Sequence, residues 1–122
     1  MEARESEGAT MGKVYWVLND KLGEGDPELG KLLMQKFIYN LARADQAPEK
    51  MIFMNDGIRL TSEGSEVLDD LKLLAEKGVA ISTCGTCLDF HGLRDKLAVG
   101  VAGKMDGTVA TTLAADDVVV LR

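Results

Sequence analysis

The sequence predicts a three-layer α/β/α domain built on a five-stranded parallel sheet, and three observations carry that prediction. Apolar runs at residues 14–18, 51–54, 79–82 and 118–121 are short and nearly continuous, which is how strands covered on both faces read. Segments of helical spacing separate them. The resulting order, β-α-β-α-β-α-β-α-β, is that of parallel strands joined by right-handed crossovers.

The first helix is announced by Asp26 followed by Pro27, a good N-cap and first-turn pair. Leu29, Leu33, Phe37 and Leu41 then recur every four residues and are expected to form the core stripe. Met34, Ile38 and Ala42 flank that stripe and are expected either to serve a contact between copies of the chain or to be buried within one copy. Residues 44–48 close the unit. Ser65 is expected to cap a second helix whose apolar stripe is Leu68, Leu71, Leu74 and Ala75, and Gly78 ends it, being free to adopt positive φ. A short third helix is expected over residues 87–97 and a small strand over 98–102. Asp106 is expected to cap a weak, Thr- and Ala-rich helix reaching Ala114, before the last strand. Residues 1–11 read as a disordered acidic tail and residues 12–122 as one domain.

A chain of 122 residues is long enough to bury a core without staples. Its 46% hydrophobic and 28% charged residues are those of a globular protein. The formal net charge of −6 argues against nucleic acid, which needs a basic surface, and against an anionic membrane surface. No apolar stretch approaches the roughly 20 residues that span a bilayer. Two closely spaced cysteines do not make a secreted disulfide framework. A reducing cytoplasm is therefore expected.

Both cysteines and the only histidine fall within eight residues, Cys84-Gly85-Thr86-Cys87-Leu88-Asp89-Phe90-His91, directly after the third apolar run. Thiols at a strand-to-helix junction lie near unpaired backbone N–H groups, which favour the reactive thiolate. Cys-x-x-Cys is nevertheless compatible with a redox dithiol, a persulfide carrier with a resolving thiol, part of a zinc site, or two packed small hydrophobes. Zinc would need Cys84, Cys87, His91 and a carboxylate such as Asp89, and no metal or cofactor is expected. His91, four residues after Cys87, reads either as a base near the thiols or as a surface residue.

In parallel sheets ligands gather beyond the carboxyl ends of the strands. Three loops are expected there: residues 19–26, 55–63 and 84–86. Gly23 and Gly25 before a helix invite a phosphate-cradle reading, but they fit no phosphate motif and Glu24 and Asp26 would repel an anion. A turn plus a helix cap is preferred. Asn19, Asn55, Gly57, Thr86 and His91 are the candidate pocket residues around Cys84 and Cys87.

The segments STCGTCLDFHGL, FMNDGIRL, GDPELGKLLMQKFIYNL and VGVAGKMDGTVATTLAADDVVVL together resemble the DsrE-type domain of the YedF sulfurtransferase-like selenium-metabolism proteins. The resemblance runs from about Gly12 to Arg122. It implies the DsrE/DsrF-like fold, with the short acidic tail standing where YedF proteins carry a TusA-like domain. It further implies sulfur or selenium handling through a cysteine persulfide, with Cys84 matching the family's active cysteine. A sulfur donor or acceptor such as a TusA-like carrier is the implied partner, and a homo-oligomer, a trimer or hexamer, the implied assembly. A non-catalytic binding module and a dithiol-disulfide oxidoreductase are the alternative functions.

Overall fold

The computed structural model describes residues 10–122, with side-chain surroundings given from Gly12 onward. The strands are β1 (Thr10–Val17), β2 (Ala47–Phe53), β3 (Ala80–Cys84), β4 (Val101–Gly103) and β5 (Asp117–Leu121). The helices are α1 (Pro27–Arg43), α2 (Leu68–Glu76), α3 (Gly85–Phe90) and α4 (Met105–Ala114), with short 3-10 turns at Asn55–Thr61 and Arg94–Lys96. All strand pairs are parallel, in the order β4-β3-β2-β1-β5, so the expected five-stranded sheet is present.

This order places the chain on both faces. The steps from β1 through β4 run in one direction across the sheet, and the step to β5 returns past them. With right-handed crossovers, α1 and α2 share one face and α4 takes the other. Alternation along the strands agrees. Val17, Met51, Phe53, Ile81 and Leu121 join Met34, Ile38, Leu71 and Leu74 in one core, whereas Lys50, adjacent to Met51, reaches Thr111 of α4 through its Nζ at 3.4 Å.

Asp26 caps α1 as expected, its carboxylate accepting from the N–H groups of Glu28 and Leu29 at 2.8 and 3.2 Å. The buried face of α1 differs from the expected one. Gly30, Met34, Ile38 and Ala42 are buried, while Leu29 and Leu33 are 53% and 43% exposed. The helix carries two four-residue stripes one position apart, and Gly30 decides between them. A Cβ there would lie 2.9 Å from Lys21 Cβ, and the Gly30 carbonyl accepts from Leu22 N–H at 3.0 Å. The helix turns its hydrogen side chain toward this close approach, and Met34, Ile38 and Ala42 follow it inward. They are therefore core and not a contact between copies.

Smaller differences have equally local causes. Ser65 Oγ accepts from Val67 N–H at 3.2 Å and shapes a turn, so α2 starts only at Leu68. Val67, Leu71 and Leu74 are buried, and Ala75 is exposed. Gly78 does take positive φ, 102°. The expected 87–97 helix is split, because Gly92 at φ 66° ends α3's turn before the 3-10 turn at Arg94–Lys96. The small strand falls at Val101–Gly103, since Gly100 adopts φ 76° against the Ile81 carbonyl. Asp106 lies in the first turn of α4 and not at its cap, which is Lys104. The sequence tail up to Ala9 lies outside the described residues, and β1 already includes Thr10 and Met11.

Replacing core and outer positions of α1 tests its phase. Ile38→Ala should cost about 2–5 kcal/mol, as deletion of a buried aliphatic group does. Leu29→Ala should stay within about 0.5 kcal/mol, as surface changes do. Urea unfolding of both variants measures the difference, and equal losses would reverse the assignment.

Candidate functional site

The carboxyl ends of β1, β2 and β3 are joined by one short segment, the 3-10 turn Asn55–Thr61. At its start Asn55 adopts φ 53°, a left-handed conformation that asparagine tolerates better than most residues. At Gly57 it presses on the end of β1: a Cβ would stand 2.1 Å from the Val17 carbonyl oxygen. That same carbonyl accepts from Met54 N–H at 2.9 Å. At its end the buried Thr61 hydroxyl donates to the Ile58 carbonyl and pairs with the Thr83 hydroxyl at 2.8 Å. Thr83 immediately precedes Cys84, so this buried polar pair fixes the strand that delivers the first thiol.

Cys84 ends β3 and caps α3, its Sγ accepting from Cys87 N–H at 3.3 Å. Cys87 lies one turn on, and its Sγ accepts from Asn55 N–H, also at 3.3 Å. Both cysteines are free and half-buried. Each sulfur thus has one backbone donor, and the donors come from two different loops of the rim. Burial, and next the neighbouring Cys84 thiol, hold Cys87 above the ordinary thiol value, while the Asn55 N–H pulls the other way.

The remaining candidates separate into near and far. Asn55 touches Cys87 directly, and Gly57 is the contact that seats the turn. Asn19 lies at the end of β1, its backbone nitrogen 3.4 Å from where a Gly57 Cβ would be, and its Oδ1 accepts from Asp20 N–H. Thr86 is exposed on the first turn of α3. His91 caps the other end of that helix, its N–H donating to the Cys87 carbonyl at 3.2 Å and its ring set edge-on to Phe90 at 5.1 Å. Among the described residues its ring makes no hydrogen bond to either sulfur, and no three His, Cys, Asp or Glu side chains converge as metal ligands would. The glycine loop before α1 is a turn: Gly23, at φ 85°, donates to the Arg122 carbonyl.

Arg94 was not legible as part of this region. Its guanidinium holds Asp89 through two bonds of 2.7 and 3.0 Å and reaches the Gly85 carbonyl at 3.2 Å. Asp89 is thereby held below the ordinary carboxylate range. Arginine and aspartate five apart match no helical pairing, so spacing offered no signal. The buried Thr61–Thr83 pair, 22 residues apart in sequence, was equally silent. A cleft of about 390 Å³, lined by Asp20, Lys31, Arg59, Ser62, Glu66 and Leu93 among others, lies beyond the turn, and neither cysteine lines it.

Two outcomes test this geometry. Gly57→Ala should cost about 1–3 kcal/mol, since the added methyl meets backbone and not a yielding side chain, and thermal unfolding measures it. Cys84→Ser should move the alkylation of Cys87 to lower pH, because it removes a group that raises the Cys87 thiol. Iodoacetamide labelling across a pH series reads that shift, and an unchanged profile would break the proposed coupling.

No protein-family model and no curated protein matches the chain. Solved structures match it in fold, two of them as follows. One is the ychN protein from E. coli, with TM-score 0.67 and 22% identity over 91% of this chain and 100% of that one. The other is a protein of unknown function, MTH1491 from Methanobacterium thermoautotrophicum, with TM-score 0.61 and 22% identity over 86% of this chain and 95% of that one. The five-stranded parallel α/β architecture described above is the fold they share with this chain.

Proposed function

We propose that this protein handles sulfane sulfur, or its selenium counterpart, as a persulfide on Cys84, as the resemblance to YedF-type proteins implies. The observation that carries the reading is the pairing of each sulfur with a backbone donor at the strand rim: Cys84 with Cys87 N–H and Cys87 with Asn55 N–H. A persulfide anion needs what a thiolate needs, hydrogen-bond donors that accept its charge.

Loading is a thiol exchange. The Cys84 thiolate attacks the outer sulfur of a donor persulfide, a new S–S bond forms, and the donor leaves as its own thiolate. Delivery runs the same step with an acceptor thiolate attacking the outer sulfur on Cys84. The Cys87 thiolate supplies a second exit by attacking Sγ of Cys84, which releases hydrosulfide and leaves a Cys84–Cys87 disulfide. An external dithiol then reduces that disulfide. Such chemistry suits a reducing compartment, the cytoplasm in this reading, and a small thiol-bearing carrier, such as a TusA-like protein, as donor or acceptor. Among the described residues no helix is long and apolar enough to cross a membrane.

Mass spectrometry after incubation with a persulfide donor tests the assignment. The protein should gain one sulfur on the peptide bearing Cys84. Cys84→Ser should abolish the gain, and Cys87→Ser should retain loading but slow its release as hydrosulfide. Loading lost only in Cys87→Ser would exchange the two roles. A stable Cys84–Cys87 disulfide with no added sulfur would favour the dithiol-disulfide oxidoreductase. Thiols that neither load nor oxidise would favour a binding module.

A further inference from the structure

The layer between α4 and the sheet is thinly filled. No residue of α4 is buried, because the helix turns Ala and Thr toward the strands, and side chains this short do not close the gap. A cavity of about 420 Å³ remains there. Its floor is Val14, Lys50 and Ala80, which are direct partners in the registers of β1 with β2 and of β2 with β3. Its roof is Ala110, Thr111 and Ala114. These walls are aliphatic except at one point, where Lys50 Nζ donates to the Thr111 hydroxyl at 3.4 Å.

That point holds donors and lacks an acceptor. An ammonium has several N–H donors, and the long contact with Thr111 is the one that Lys50 Nζ makes among the described residues. The Thr111 hydroxyl, accepting from Lys50, keeps its own proton for another group. Trp16 faces the same layer, since it alternates with Tyr15 and Val17 of the opposite core, and its indole N–H is buried without a partner among the described residues. A half-buried cation without a counterion is costly, and a carboxylate supplies one. We propose that this cavity binds a small monoanion with an aliphatic body, a short-chain carboxylate. Its oxygens take the Lys50 and Thr111 donors, and its chain lies along Val14, Ala80 and the alanines of α4. Glu49 also lines the cavity and disfavours a second negative charge on the ligand. Ala80 begins β3 and Cys84 ends it, so the site is separate from the thiols and independent of their chemistry.

Sodium hexanoate, added to the full chain, is the probe. It should give saturable NMR shifts at the amides of Ala80, Ala110, Thr111 and Ala114. It should also change the fluorescence of Trp16, the single tryptophan, and raise the melting temperature. Acetate lacks the aliphatic body and hexylammonium carries it with the opposite charge, so neither should saturate in the same range. Lys50→Met keeps most of the stem and removes the charge. It should fold as the wild type does and weaken hexanoate by about tenfold or more, the worth of a charge-assisted hydrogen bond. Thr111→Val, of the same shape, should weaken it several-fold, which gives a second reading that leaves Lys50 in place. The proposal is overturned if hexylammonium binds as well as hexanoate, or if both variants bind hexanoate as the wild type does. Shifts that fall on Phe37 and Leu41 of α1 instead overturn it, and so does an absence of saturation at millimolar hexanoate.

Discussion

The site depends on how closely the segment Asn55–Thr61 lies on the end of β1. A parallel sheet brings successive strand ends to one edge, but it does not by itself make them touch. Here they touch because position 57 has no side chain: the turn rests on the Val17 carbonyl, at a distance that any Cβ would forbid. That seating fixes both ends of the segment. One end offers the Asn55 N–H to Cys87, and the other sets Thr61 against Thr83. A contact on β1 therefore determines the surroundings of two thiols on β3 and α3.

The two cysteines are consequently unlike in their settings, although the motif is symmetric in sequence. Cys84 sits at a strand terminus with a donor from the turn that follows it, and Arg94 secures the next residue by bonding the Gly85 carbonyl. Cys87 is held from across the rim by a residue in a strained backbone conformation, and burial raises its thiol above the ordinary value.

Much of this arrangement was readable from residue order. The four apolar runs marked strands because continuous apolar stretches are what two-sided burial requires, and Asp26-Pro27 marked the start of α1 because capping is local. The position of the thiols at a strand-to-helix junction was legible for the same reason. Readability ended where the outcome depended on long-range contact. Periodicity alone could not choose between the Leu29 and Gly30 stripes of α1, since both repeat every four residues and only the approach of Leu22 to Gly30 separates them. The short helix after Cys84 ends sooner than its residue spacing suggests because positive φ at Gly92 interrupts it. The Thr61–Thr83 pair and the reach of Arg94 to Gly85 join residues whose types and spacing carry no local pattern, and only the folded chain brings them together.

The central claim is that the rim is built to hold a charged sulfur species on Cys84. A crystal structure of the protein treated with a persulfide donor, phased to reveal sulfur by anomalous scattering, tests it most directly. The account predicts one additional sulfur bonded to Sγ of Cys84, within hydrogen-bonding range of the Cys87 N–H, with Asn55 N–H still on Cys87. Additional sulfur on Cys87, or an unmodified pair of thiols after treatment, would contradict it.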